Sequence, residues 1–427
     1  MVKTIKYFFL LVAFAAISAK ADVCFHDFFK EQTLRYDFLL GGDHKTTEVF
    51  PQQIKMEPHW AGSKNNLIDP FDFGNYRIRV FDEASGQLIF SKGISPLFME
   101  WQTTEEAKRM KRTFYQSAFV PFPKKKIKLE IEQRQWEGDF MVIHSAIIVP
   151  EDYFILQEIP NEYETKEIRL SGKPEKCVDL VFLAEGYTAN EMDKFLSDAN
   201  RMSDYLFSSP PFDKHKNEFN VYAVLCPSEE SGTDVPGESI YKNTIFNSTF
   251  YTFDTPRYLT TSDMKTIYDV AALVPWDHIF VLVNTERYGG GGFYNFLSVG
   301  SADNELSEKV FVHEFGHAFA GLGDEYYTSS VAFENFYNLK VEPWEPNLTT
   351  LVNFESKWKK MLDKNTPVPT PRTGKYEKAV GVFEGGGYTA TGVYSPMMNC
   401  RMKSNDVPYF CPACSEAIAR VIEVHTK

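Results

Sequence analysis

ELSEKVFVHEFGHAFAGLGDEY, the segment from Glu305 to Tyr326, contains a His-Glu-x-x-His motif within a pattern of helical spacing. Phe311, Phe315 and Phe319 recur every four residues, which predicts an apolar stripe that anchors a helix in a core. The glycines of Gly321–Gly323 predict the end of this helix, because glycine adopts the left-handed conformation that closes helices.

The two histidines of the motif, His313 and His317, are four residues apart and leave the same face of the predicted helix. That spacing suits two corners of a tetrahedral zinc site. Glu314, beside the first histidine, is the predicted general base for a water activated by the metal. A chance match is the alternative, expected in roughly 1 of 100 chains of this composition. The helical window and the glycine stop favour a real metal site.

A catalytic zinc needs a third protein ligand and an open position for water. No histidine follows in the next turn, but Asp324 and Glu325 come directly after the glycines. A chain that reverses at these glycines can return Asp324 to the metal, so Asp324 is the predicted third ligand. Glu325 is an alternative, either as the ligand or as a residue that holds a ligand in place. A more distant carboxylate such as Glu334 is the remaining alternative.

The composition indicates a globular protein with more than one domain. The chain has 427 residues, of which 43% are hydrophobic and 24% are charged, and this length exceeds what one small core needs. The net charge of −13 argues against a nucleic-acid-binding surface. The expected partner is a protein or peptide substrate, and the oligomeric state stays open.

The N-terminus has the features of a secretory signal peptide, predicted to cover residues 1–21. Two lysines form a positive end, Tyr7–Ile17 forms an apolar segment, and Ala19–Ala21 is a cleavage site of the A-x-A type. The apolar segment is too short to predict a membrane span. The residues before Cys24 make a poor lipoprotein motif, which argues against a lipid anchor. We therefore expect an exported protein, either periplasmic or extracellular.

Six cysteines in an exported chain allow disulfides. Cys400, Cys411 and Cys414 cluster near the end of the sequence, and a local disulfide among them is the preferred prediction. One alternative is a second zinc site, whose fourth ligand would have to be His425, the histidine nearest in sequence, and the other is that the three remain free thiols. The other cysteines are too scattered to be paired from sequence.

Residues 22–162 have the pattern of an all-β sandwich domain. The segment Tyr76–Phe81 alternates in character, a turn follows, and Gln87–Phe90 returns, which predicts a hairpin. Lys126–Glu132 alternates in the same way. One short helix is expected near 105–111. No catalytic constellation is evident in this region, and its role stays open.

Residues 163–427 have the pattern of an α/β catalytic domain. Val178–Ala184 is a continuous apolar segment, as expected for a strand buried on both faces. A helix is predicted from Ala189 to about Phe207, opened by a capping box at Thr188, and the next strand begins at Phe219. These elements form a β-α-β unit.

The segment Tyr288–Val299 contains four consecutive glycines beside an expected strand. No Gly-Lys-Ser/Thr follows them, which excludes a phosphate-binding loop of the P-loop type. Gly291–Val299 is predicted to form a sheet edge that can pair with an extended peptide substrate. A mobile loop is the equal alternative.

Two helical histidines, a glycine and a third ligand after a short loop resemble the metzincin class of metallopeptidases. Those proteins also have a methionine turn beneath the metal. Tyr394–Asn399 is the candidate for it, with Met397 or Met398 under the zinc. The loop before Asp324 is one residue longer than the metzincin pattern, and metzincins generally use histidine as the third ligand. The resemblance implies a metzincin-like fold and leaves the third ligand open.

A closer resemblance covers most of the chain after Lys176. This part of the chain is similar to the bacterial family named for IgA-cleaving metalloendopeptidases. The similarity lies in the segments VDLVFLAEGYTANEMDKF, FNVYAV, VHEFGHAFAGLGDEYY, SPMMNCRM and FCPAC. The β-rich N-terminal part resembles an additional domain of some family members. The resemblance implies an exported zinc peptidase with Zn²⁺ as its cofactor, and it does not imply that IgA is the substrate.

The leading hypothesis is an exported zinc endopeptidase, in which Glu314 accepts the proton of the attacking water and passes it to the leaving amine. The developing oxyanion needs a further donor, and the candidates near the methionine turn are Tyr388, Tyr394 and Arg401. One alternative is a zinc amidase acting on non-protein amide bonds. Another is a surface binding protein with a restricted or degenerate catalytic domain, against which the intact motif argues.

Overall fold

The structure is a computed structural model that describes residues 23–157, 162–327 and 336–427. The predicted signal peptide and Glu334 lie outside these residues. Within them, no helix is both long enough and apolar enough to cross a membrane.

The N-terminal region is a β domain with two antiparallel sheets. Its elements are α1 (Phe25–Phe28), β1 (Phe29–Gly42), β2 (Thr47–Glu57), β3 (Tyr76–Asp82), β4 (Leu88–Ile94), α2 (Leu97–Gln102), β5 (Arg112–Pro123), β6 (Ile127–Arg134) and β7 (Phe140–Ile148). One sheet has the strand order β2-β1-β5 and the other has the order β4-β3-β6-β7. The predicted hairpin is confirmed, because β3 and β4 pair antiparallel.

The helix of the β domain lies earlier in the sequence than predicted. The expectation of a helix near 105–111 is wrong, since residues 105–109 form turns and β5 begins only at Arg112. The helix is α2, which buries Leu97, Phe98 and Trp101. Burial of these large apolar side chains stabilises a short helix, whereas the charged segment that follows offers no apolar face.

The C-terminal region alternates strands and helices. Its elements are β8 (Glu164–Arg169), β9 (Val178–Glu185), α3 (Met192–Ser208), α4 (Phe212–His215), β10 (Phe219–Leu225), α5 (Met264–Ala271), β11 (His278–Val283), β12 (Gly290–Phe293), β13 (Leu297–Ser301), α6 (Ser307–Ala320), β14 (Phe383–Gly386), β15 (Thr389–Ser395) and α7 (Pro412–Thr426). One sheet has the order β12-β13-β11-β9-β10-β8, and β14 pairs with β15.

The centre of the larger sheet is parallel and buried. Strand β9 pairs in parallel with both β10 and β11, and every residue of these three strands is buried. The predicted β-α-β unit of β9, α3 and β10 is confirmed, including the capping box of Thr188 and Glu191. The antiparallel strands β8 and β12 form the two edges.

Helix α6, which contains the histidine motif, packs on this sheet through its phenylalanine stripe. The ring of Phe311 lies 5.6 Å from that of Phe182 in β9 and 4.6 Å from that of Phe280 in β11, measured between centroids. Phe315 and Phe319 continue the buried stripe along the helix. The predicted apolar stripe is confirmed. Because the stripe packs on the sheet, the motif histidines occupy a different face of α6.

A buried charge network joins the β domain to helix α5. Arg35 in β1 is fully buried, and its guanidinium lies 2.7 Å from Asp37 and 2.6 Å from Asp269 of α5. The ammonium of Lys55 lies 2.8 Å from the same oxygen of Asp269. Burial raises the pKa of the nearby Glu57 to about 7, so the two aspartates supply most of the negative charge beside Arg35.

We expect Asp269→Ala to lower the free energy of unfolding by about 2–3 kcal/mol, because two buried cations lose a counter-ion. The estimate is below the cost for a fully buried pair because the Asp269 side chain is 26% exposed. Asp204→Ala, at an exposed position of α3, is the control and should change stability by less than about 0.5 kcal/mol. Equal urea midpoints for the two variants would contradict a stabilising role for the network.

Candidate metal centre

Helix α6 ends at the glycine that the sequence predicts. Gly321 is in the left-handed region, with φ 62° and ψ 27°, and its N–H donates to the carbonyl of His317. A residue with a side chain is strained in this conformation. The chain therefore turns back at Gly321, and this reversal brings Asp324 to the face of α6 that bears the motif histidines.

The glycine strand β12 lies directly against α6. A Cβ at Gly292 would lie 2.2 Å from the carbonyl oxygen of Glu314, and one at Gly290 would lie 2.9 Å from Val310. Only glycine lets the strand approach the helix this closely. The predicted sheet edge over Gly291–Val299 is confirmed only for Gly291–Phe293, because β12 is the outermost strand of its sheet, whereas Leu297–Val299 belong to β13 inside the sheet. The alternative of a loop is wrong for these residues.

Three ligand-type side chains converge beside α6. The Nε2 atoms of His313 and His317 are 3.1 Å apart, and Oδ1 of Asp324 lies 3.1 Å from the first and 3.3 Å from the second. Nitrogen and oxygen ligands of a tetrahedral zinc are about 3.3 Å apart, given bonds of about 2.0–2.1 Å. Oδ1 is buried without a hydrogen-bond partner. The spacing and this unsatisfied oxygen fit a metal ion among the three atoms.

Backbone carbonyls orient both histidines. Nδ1 of His313 lies 3.0 Å from the carbonyl oxygen of Arg401, and Nδ1 of His317 hydrogen-bonds to the carbonyl of Leu322. A carbonyl only accepts, so Nδ1 of each neutral ring carries the proton and Nε2 keeps a lone pair. Such an outer hydrogen bond is typical of histidines that bind metals.

Asp324 is buried and held as a carboxylate. The hydroxyl of Tyr388 donates a hydrogen bond to its Oδ2. Burial alone would raise the pKa of Asp324, but the positive charge of His317 and His313 in their protonated form holds this pKa well below its usual range. An anionic oxygen therefore faces the two imidazole nitrogens.

Glu314 follows the first histidine and faces the open side of the site. Its side chain is partly exposed, and it lines the same cavity as His313 and His317. Burial raises the pKa of Glu314, and the neighbouring histidines act in the opposite direction. The carboxyl of Glu314 is thus a titratable group in the wall of the cavity that the three converging side chains also line.

Two family models match this chain. The model described as "IgA Peptidase M64" matches residues 167–378 and 372–422, and the model described as "Peptidase M64 N-terminus" matches residues 24–145. The chain belongs to the IgA peptidase M64 family. A comparison with curated proteins gives no match. Family membership makes the chain a peptidase with the N-terminal domain of this family, as its motifs predicted.

In this IgA peptidase family member, the converging side chains open into a cavity of about 490 Å³. Both domains line it, since Asn75, Ser95 and Glu100 come from the β domain. The carboxylate of Glu100 accepts a 2.6 Å hydrogen bond from the hydroxyl of Tyr258 in the peptidase domain. This contribution cannot be predicted from the sequence, because no local pattern relates α2 to the histidine motif.

The three predicted oxyanion donors occupy different positions. Tyr388 lines the cavity and donates to Asp324. The guanidinium of Arg401 lies 3.4 Å from the hydroxyl of Tyr205, and the residue contributes its carbonyl to the site instead. Tyr394 lies in β15 and is not among the described residues that line the cavity.

Two other donors line the cavity and were missed from the sequence. Arg257 and Tyr288 both line the cavity. Tyr288 directly precedes the glycine segment, and that position was the available signal for it. Arg257 lies in an irregular segment before α5, where no periodicity marks it.

A methionine beyond the predicted methionine turn approaches α6. The sulfur of Met402 would lie 3.0 Å from a Cβ at Gly316 in the middle of the helix. The carbonyl of Met402 accepts a 2.8 Å hydrogen bond from the N–H of Glu325. Met397 is buried, and the placement of Met397 or Met398 beneath a metal stays a prediction.

A second group of ligand-type side chains lies beyond Asp324. We call it the cysteine cluster, and its ligand-type atoms lie within 4.8 Å of one another in Glu325, Cys400, Cys411 and Cys414. The predicted disulfide is not present, since all six cysteines lie in the described residues and all are free. The prediction of His425 as the fourth ligand is wrong, because it lies 3.7 Å from Asp277 near the other end of α7. The fourth ligand-type side chain of the cluster is Glu325.

Proposed function

We propose that this peptidase is an exported, zinc-dependent endopeptidase. Its metal ligands are His313, His317 and Asp324, and its general base is Glu314. The proposal rests on the convergence of three donor atoms, one of which is a buried carboxylate oxygen without a hydrogen-bond partner.

Zinc is the proposed metal because of the donor set. Two imidazole nitrogens and one carboxylate oxygen, with a cavity on the remaining side, match the composition of catalytic zinc sites. Magnesium and calcium prefer oxygen ligands throughout. The carbonyl-bound Nδ1 atoms present both histidines in the form that binds zinc.

A bound zinc ion would supply a Lewis acid that polarises the scissile carbonyl and lowers the pKa of the attacking water. Glu314 is exposed to the cavity, so it can take the proton of that water and deliver it to the leaving amine. Arg257 and Tyr288 are the proposed donors to the oxygen that gains negative charge, because both lie in the cavity wall.

The proposed substrate is an extended polypeptide lying along β12. This strand is the outer edge of its sheet, and its glycines line the cavity beside Glu314. An exposed sheet edge binds an extended peptide through main-chain hydrogen bonds, which are independent of sequence. Tyr258 already forms an isolated β-bridge with Gly290 at one end of β12, so the peptide would pair with the remainder of this strand.

The proposal extends to the segments that surround the site. Residues 1–21 act as the signal peptide that directs export to the periplasm or the cell exterior. Residues 22–162 form the β-sandwich domain, and residues 163–427 form the metzincin-like catalytic domain. The two antiparallel sheets of the first region and the helix-bearing parallel sheet of the second support this division.

Metal removal tests the proposed activity. We expect the purified mature protein to cleave internal bonds of unstructured peptides, to lose this cleavage when a zinc chelator strips the metal, and to regain it with added zinc. Full activity in the metal-free protein would contradict zinc dependence. Trimming from peptide ends alone would contradict an endopeptidase. Bound zinc without any peptide cleavage would favour the amidase or the binding protein.

A further inference from the structure

The cysteine cluster brings side chains from separate segments to one point. Glu325 comes from the loop after α6, Cys400 follows β15, and the other two cysteines belong to the start of α7. Sγ of Cys414 lies 3.2 Å from Oε1 of Glu325 and 3.8 Å from Sγ of Cys400, and Sγ of Cys411 lies 4.0 Å from the same Oε1. Sulfur and oxygen ligands of a tetrahedral zinc are about 3.4–3.8 Å apart.

The cluster is fully buried, and one of its carboxyl oxygens has no hydrogen-bond partner. Glu325 and the three cysteines each have an exposed fraction of 0%. Oε1 of Glu325 accepts a 3.1 Å hydrogen bond from the amide of Asn347, but Oε2 has no hydrogen-bond partner. A buried carboxylate oxygen without a partner is destabilising unless a cation lies beside it.

The start of helix α7 lies at the cysteine cluster. Cys411 is the N-cap of the 15-residue helix α7, and Cys414 lies in its first turn, where the helix dipole stabilises negative charge. The N–H of Cys411 donates a 3.2 Å hydrogen bond to Sγ of Cys400. Hydrogen bonds of this kind orient and stabilise ligands that bind metals.

A disulfide would not satisfy this arrangement. It could join only two of the three sulfurs, and it would leave the third thiol buried beside Glu325, whose Oε2 would still have no hydrogen-bond partner. A single cation among the four side chains satisfies all of them together. Soft sulfur ligands favour zinc over magnesium or calcium.

We propose that the cysteine cluster is a second zinc site, with a structural role. It has four protein ligands, none of which lines the cavity into which the histidine site opens. Closed sites of this composition stabilise a fold rather than activate water. The site joins the loop after α6 to the start of α7.

This second site would also position the first. Glu325 follows Asp324 directly, and the N–H of Glu325 donates to the carbonyl of Met402, two residues after Cys400. A metal bound to Glu325 would therefore hold the backbone from which Asp324 reaches the histidines. Loss of the second metal should weaken metal binding at the first site without changing any of its ligands.

Metal counting on the purified mature protein tests the proposal. We expect two zinc ions per chain in the wild type and one in Cys414→Ser, with a melting temperature lower by about 10 °C. Cys177→Ala changes a buried cysteine outside the cluster. It is the control and should retain two zinc ions per chain. His317→Ala should retain one zinc ion per chain, bound by the cysteine cluster. Retention of this ion distinguishes the second site from the proposed catalytic site.

A thiol count keeps the test independent of whether any variant folds. Alkylation of the wild type in denaturant with chelator, without reductant, should modify all six cysteines. Four modified cysteines and a single zinc in the wild type would overturn the proposal in favour of a disulfide. Iron in place of zinc, or no metal retained by His317→Ala, would overturn it as well.

Discussion

Replacing Glu314 with glutamine is expected to lower kcat by about 10²–10⁴-fold while zinc content and KM stay nearly unchanged. Glutamine has the same shape but cannot accept the proton of the attacking water. The side chain lines the cavity without belonging to the three converging donors, so metal binding should persist. Steady-state kinetics on a peptide that the wild type cleaves, together with elemental analysis, measure both effects.

Glu308→Gln is the matched control for this change. Glu308 lies in the first turn of the same helix and pairs with Arg201 at 2.7 Å, away from the cavity. The Glu308→Gln variant should have a kcat within about twofold of the wild type. Equal losses in the two variants would indicate a general disturbance of α6, and full activity of Glu314→Gln would contradict its role as general base.

Replacing Asp324 with alanine should abolish peptide cleavage and weaken binding of the catalytic zinc by more than about 100-fold. This exceeds the 10–100-fold loss that is typical when a residue outside the coordination shell is changed. The variant removes the one anionic donor of the site and leaves two neutral imidazoles. Competition with a zinc-binding dye measures the affinity.

Tyr388→Phe provides the graded comparison for Asp324. It removes the hydroxyl that donates to Oδ2 and keeps the carboxylate. We expect its zinc affinity to fall between the wild type and Asp324→Ala, within about 10–100-fold of the wild type. Unchanged zinc affinity in Asp324→Ala would contradict its role as the third ligand and would move that role to another carboxylate.

The parts of the fold that the sequence predicted correctly are those set by neighbouring residues. The phenylalanine stripe of α6, the stop at Gly321 and the capping box at Thr188 each depend on spacings of a few residues. The edge strand β12 follows from its glycines, which the contact with Glu314 explains. Hairpin β3–β4 likewise forms between adjacent segments.

The parts that were missed depend on contacts between distant segments. His425 is closer in sequence to the cysteines than Glu325 is, but helix α7 carries His425 about 16 Å along its axis from Cys414. Glu325 reaches the cluster because the chain reverses after α6. Glu100 reaches the cavity only because the β domain packs against the peptidase domain, which no local pattern indicates.

The most direct measurement is anomalous X-ray diffraction at the zinc absorption edge on crystals of the wild-type protein. We expect a peak within bonding distance of Nε2 of His313, Nε2 of His317 and a carboxylate oxygen of Asp324. Absence of a peak there in crystals of active protein, or a peak whose third protein ligand is a different side chain, would contradict the central claim. A second peak at the cysteine cluster would separately support the structural site.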